Sequence, residues 1–105
     1  MIRANNGTVG HTTAPTTSTA KRIRSEDILT LLRRQNFKCA LTGQTLTPQT
    51  AHLDHIVPLA RGGTDAIENL QILHRDVNLA KHTLTVNEFI QLCRDVLNYH
   101  DTHNK

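Results

Sequence analysis

Asp54 and His55 stand side by side in the chain, followed by Asn69, Asn78 and Lys81. A carboxylate next to an imidazole places a hard metal ligand beside a base that titrates close to neutral pH. The two later amides add neutral oxygen and nitrogen, at spacings that a compact hairpin followed by a helix brings back to the pair. No other stretch gathers comparable chemistry. The combination is that of a one-metal site for phosphodiester cleavage.

A phosphodiester resists hydroxide because it is anionic and its leaving alkoxide is poor. A divalent cation relieves both difficulties by neutralising charge and stabilising the leaving oxygen. The Asp54 carboxylate and the Asn78 amide oxygen form a hard donor set that suits Mg²⁺ or Mn²⁺, ions that retain waters and take phosphate oxygens directly. Zn²⁺ seeks more nitrogen or sulfur. His55 is the candidate general base for the attacking water; its bland alternative is a surface or packing residue at a strand end. Neighbouring residues on an ideal strand point to opposite faces. Both members of the pair therefore serve one site only if the alternation breaks or if other elements close on both sides. Arg61, Arg75 and Lys81 are candidate phosphate contacts beside the site, although each alone also reads as a solvated charge.

The elements that must position these groups are legible in outline. Ser25 reads as an N-cap with Glu26 and Asp27 placed for the helix dipole, and Ile28, Leu31 and Leu32 give one apolar face, so a helix is expected from 25 to about 36. Residues 37–48 read as a tight knuckle followed by a short extended piece. A strand is expected over 51–58, a loop released by Gly62 and Gly63, a second strand over 69–74 and a short helix over 75–81. Thr85 to Glu88 forms a capping-box pattern. After it, Phe89, Leu92, Cys93, Val96 and Leu97 make a stripe at helical spacing that reads as core, with Cys93 as a buried thiol. Residues 1–20 are polar, with almost no large apolar side chain, and read as a flexible tail; 101–105 read as a frayed end. Between them lies one domain, residues 21–100, with its core at about 51–82.

The chain has 105 residues and a formal net charge of +3, a mild excess that fits a polyanionic partner and equally fits an ordinary basic domain. Aromatic residues make up 3%, too few for a platform that stacks single-stranded bases. No apolar run approaches the roughly 20 residues of a membrane span, and the N-terminus has no signal-peptide core. Cys39 and Cys93 are far apart and form no Cys-x-x-Cys, so a disulfide framework is not expected and a reducing, cytoplasmic setting fits.

Residues 53–82, LDHIVPLARGGTDAIENLQILHRDVNLAKH, resemble the HNH endonucleases of the ββα-metal (His-Me finger) fold. The matching elements come in order: Asp-His before Ile-x-Pro, a Gly-Gly-Thr loop, Asn-Leu-Gln-x-Leu, and Asn-x-x-Lys. The resemblance covers under a third of the chain but includes the whole catalytic unit. It implies an α+β fold, with a two-stranded antiparallel hairpin and short helix flanked by an N-terminal and a C-terminal helix. It also implies that the glycine loop folds back over His55, with Asn69 tying that loop and orienting the imidazole. Some relatives carry a further ligand four residues after the position of Asn78, which makes His82 a candidate third metal ligand if the helix continues.

Many relatives also carry two Cys-x-x-Cys knuckles around a structural zinc. Here those places hold Cys39, Thr42, His74 and Val77. Cys39 and His74 alone do not close a tetrahedral site, so no structural zinc is expected, and His52 as a rescuing ligand is disfavoured. Packing of the flanking helices is then expected to brace the unit, within one chain first and in a dimer second. The function that follows is a metal-dependent DNA endonuclease acting on double-stranded DNA and nicking one strand per site. Its rival is a catalytically silent nucleic-acid-binding module of the same fold. A monomer or weak homodimer is expected, in a phage or mobile-element setting and alongside phage or host DNA-processing proteins.

Overall fold

Ala51, Leu53, Leu70 and Ile72 recur with a period of two, and with Leu73 buried beside them they build the hairpin at the centre of the molecule. The computed structural model describes residues 3–4 and 22–103. Strand β1, Arg3–Ala4, pairs in parallel with strand β2, Ala51–His55; strand β2 pairs antiparallel with strand β3, Leu70–His74. The sheet order is β1-β2-β3. The rest of the expected tail lies outside the described residues.

Helix α1, Ser25–Arg34, starts one residue earlier than the Ser25 cap predicts: Arg24 is the N-cap, and its backbone N–H donates to Asp27 Oδ2 at 2.9 Å. Leu31 enters the core with Ile23, Ile28 and Leu32 around it, and α1 packs on β3. The helix ends where Asn36 and Phe37 take positive φ. The chain then turns through the knuckle, where Cys39 N–H donates to Gln44 O and Gly43 N–H to Cys39 O. Cys39 is buried. Burial pushes its thiol up, but hydrogen bonds from the Thr42 side chain and from the backbone of His74, Leu41 and Thr42 outweigh burial and hold it below its ordinary value. At the two later knuckle places, the His74 ring accepts from Asp76 N–H at 3.1 Å and Val77 packs against the core. Gln35, the C-cap of α1, stitches the knuckle to the sheet. Its Nε2 donates to Lys38 O and Ile72 O, and its Oε1 accepts from Ile72 N–H at 2.9 Å.

Between the strands the chain makes two 3-10 turns, Leu59–Arg61 and Ile67–Asn69. Helix α2, Arg75–Lys81, follows β3 directly and packs on β2 and β3. Helix α3, Val86–His103, opens on the expected capping box: Thr85 N–H donates to Glu88 Oε1 and Glu88 N–H to Thr85 Oγ1. The fold is therefore the expected α+β one, a ββα unit flanked by helices.

Two expectations about α3 are corrected. None of its residues is buried: Leu92, Val96, Leu97 and Tyr99 are exposed, and so is Cys93. An apolar stripe reports that one face is water-avoiding, not which surface covers it, and of the stripe only Phe89, at its start, is half-buried. The helix also continues to His103, past the expected frayed boundary at Asp101. It is not long and apolar enough to cross a membrane, nor is any other described helix.

Candidate active site

Strand alternation sends Asp54 and His55 to opposite faces of β2, and each face is closed by a different element. On the Asp54 side the cross-strand neighbour is Gln71, whose Nε2 donates to Asp54 Oδ2 at 3.0 Å. Helix α2 supplies the rest. Lys81 Nζ lies 3.1 Å from Asp54 Oδ2 and 3.3 Å from Oδ1, and also donates to His55 O at 3.2 Å. Two residues before Asp54 on the same face, His52 Nδ1 lies 3.4 Å from Asn78 Nδ2. Asn78 and Lys81, three apart on α2, thus face His52 and Asp54 along the strand. Asp54, Asn78 and Lys81 are all fully buried.

On the other side the glycine loop closes over His55. His55 is buried, and its Nε2 lies 2.7 Å from Oδ1 of Asp65, whose side chain is 44% exposed. Asn69 ties the loop with three bonds: its Oδ1 accepts from Val57 N–H at 2.9 Å, and its Nδ2 donates to Val57 O at 3.1 Å and Thr64 O at 2.8 Å. Gly63 makes this closure possible, because a Cβ there would lie 1.8 Å from Val57 O and 2.9 Å from Asn69 Nδ2. The loop sits where the resemblance implied, with Asn69 as its clasp.

Other candidates lie differently from the sequence reading. Lys81 is not a solvated phosphate contact; its stem runs into the interior and its ammonium meets Asp54 because an unpaired buried carboxylate would be costly. The guanidinium of Arg61 forms a two-pronged ion pair with Glu88, so its charge is matched within the protein. That pair drives the Glu88 carboxyl down to about 2, through the Arg61 hydrogen bond first and the Thr85 backbone second. Arg75 is the basic candidate left at the surface, 3.7 Å from Asp76. His82 does not continue α2: the helix stops at Lys81, His82 takes φ 50°, and its backbone N–H, not its ring, meets Asn78 O. Helical spacing therefore does not bring the His82 ring to the metal candidates as a third ligand.

Asp65, Gln71 and His52 contact His55, Asp54 and Asn78 respectively, and sequence reasoning gave none of them a role there. Asp65 carried a weak signal, an acid just after the glycine pair, but nothing local says that it reaches a histidine across the loop. The residues fit a hard divalent cation. Asn78 Oδ1 is buried with no hydrogen-bond partner among the described residues, which leaves an acceptor waiting for a donor or a metal. The Asp54 carboxylate, two residues along the strand from the His52 that Asn78 meets, is the other hard oxygen on this face. Among the described residues no three His, Cys, Asp or Glu side chains converge, so a cation held by Asp54 and Asn78 would keep most of its coordination for water and substrate.

Residues 38–84 match the family model described as HNH endonuclease. The match takes in the knuckle, β2, the loop, β3 and α2, and ends before α3 begins. No curated protein matches the chain.

Proposed function

Because residues 38–84 match the HNH endonuclease family model, we propose that this chain is a metal-dependent endonuclease that hydrolyses phosphodiester bonds of double-stranded DNA. His55 removes the proton from the attacking water. Asp65, hydrogen-bonded to the ring, holds it in place and balances the positive charge it gains. Asn69 keeps the loop shut so that this geometry persists. Asp54 and Asn78 would hold one Mg²⁺ or Mn²⁺, which when bound would supply charge to neutralise the phosphate and the leaving oxygen. Arg75 contacts the backbone of the duplex from the surface of α2. The products carry 5′-phosphate and 3′-hydroxyl ends, and one site nicks one strand.

The observation that carries this reading is the pairing of a buried, carboxylate-bonded histidine with an orphaned amide oxygen on the other side of the same strand. Supercoiled plasmid incubated with Mg²⁺ should be nicked. EDTA should stop the nicking, and His55→Ala should remove it at unchanged folding. An equally active His55→Ala protein, or nicking that ignores EDTA, overturns the proposal.

One observation favours the silent-module reading instead: the ammonium of Lys81 already neutralises Asp54. A module of that kind binds duplex DNA but leaves plasmid intact in every metal tested.

A further inference from the structure

Lys81 heads the fully buried side chains of this protein by size, and it is charged. An ammonium has three protons to donate, and here it has three acceptors: both oxygens of Asp54 and the carbonyl of His55. A charge so completely removed from water is tolerated only where it is paired and hydrogen-bonded. Three residues earlier on the same helix, Asn78 Oδ1 is equally buried and has no donor among the described residues. The contact between β2 and α2 therefore has one oxygen group satisfied by an internal cation and a second left idle.

Those two facts are complementary. A divalent cation bound by Asp54 and Asn78 would satisfy the idle oxygen, but it would also stand against the Lys81 ammonium, and like charges brought close together repel. We propose that Lys81 is a built-in stand-in for the metal: it holds Asp54 in the metal-free protein and releases the carboxylate when the divalent cation binds. The inference rests on the reading that Asp54 and Asn78 hold the metal. Its consequence is that the protein folds around an intact site without metal, at the cost of weaker metal binding.

The test uses the full chain and two readouts. In the wild-type protein the side-chain ammonium of Lys81, shielded from exchange by burial, gives its own resonance in ¹H–¹⁵N NMR. Titration with Mg²⁺ should shift or abolish that resonance in step with the Asn78 side-chain amide. Lys81→Met should bind Mn²⁺ at least tenfold more tightly by electron paramagnetic resonance, and should gain more melting temperature from Mn²⁺ than wild type. If Lys81→Met does not fold without metal, the wild-type titration decides. An Asn78 amide that responds to Mg²⁺ while the Lys81 ammonium does not move overturns the stand-in alone. So does a folded Lys81→Met protein with unchanged affinity. Absence of any Mg²⁺ or Mn²⁺ binding in both proteins overturns the metal site and the stand-in together.

Discussion

The Nε2 of His55 lies 2.7 Å from Oδ1 of Asp65, which couples a base at the end of β2 to an acid in the loop that covers it. A carboxylate in that place holds the imidazole ring in one orientation. Asp65→Asn keeps the shape and removes the charge. It should lower kcat by about 10–100-fold, the usual effect of losing such a supporting partner, with little change in KM or melting temperature. Steady-state kinetics on plasmid checks it; a purely structural role would move stability first.

The two glycines of the loop should behave differently on substitution by alanine. At Gly62, φ is 92° but a Cβ meets nothing within 4 Å, so Gly62→Ala carries only the left-handed backbone penalty, about 1–2 kcal/mol. At Gly63 a Cβ would lie 1.8 Å from the Val57 carbonyl oxygen, which is backbone and cannot swing away. Gly63→Ala must push the loop off β2, costing at least about 1–3 kcal/mol as overpacking does. It should abolish cleavage as Asn69 and Asp65 lose their places. Thermal melts and plasmid nicking of the two variants, side by side, test the ranking.

The tether between the loop and α3 should be acid-sensitive. Arg61 and the Thr85 backbone hold the Glu88 carboxyl at about 2, below its ordinary 4.5. A depressed carboxyl contributes its stabilisation fully above the ordinary value and loses it as pH falls through the depressed one. Hydrogen exchange at the first turn of α3 should therefore be protected above about pH 4.5 and should speed up between there and about pH 2, beyond the intrinsic pH dependence. In Glu88→Gln the additional acid step should vanish.

The stripe on α3 gives a prediction opposite to the one its sequence suggests. Leu92 is 47% exposed and Val96 63%. Leu92→Glu should then change the unfolding free energy by no more than about 0.5 kcal/mol, as surface substitutions do, where a core leucine would cost several times more. Chemical denaturation at low protein concentration measures it.

These contrasts mark what the sequence could tell. The period-two alternation of Ala51, Leu53, Leu70 and Ile72, the glycine pair and the helix before Asn78 are local signals, and the hairpin, loop and α2 follow from them. The Asp54-His55 pair was legible for the same reason, since its chemistry is written in adjacent residues. What depended on distant partners was not. Lysine is almost always solvated, so nothing at Lys81 announces that its ammonium ends on Asp54. Arg61 and Glu88, 27 residues apart, give no hint of each other. The α3 stripe shows an apolar face without showing whether this chain supplies its cover.

Gln35 gives the fold a property beyond the site. β3 is a border strand of the sheet. At Ile72 its outward N–H and C=O are both taken by the Gln35 amide, with Ala40 N–H sharing the carbonyl. A side-chain amide has the same donor and acceptor as a peptide, so Gln35 mimics one residue of a further strand. That blocks the middle of an edge on which another chain could otherwise template itself. A single glutamine at the end of a helix thereby closes the centre of the free edge of this small sheet.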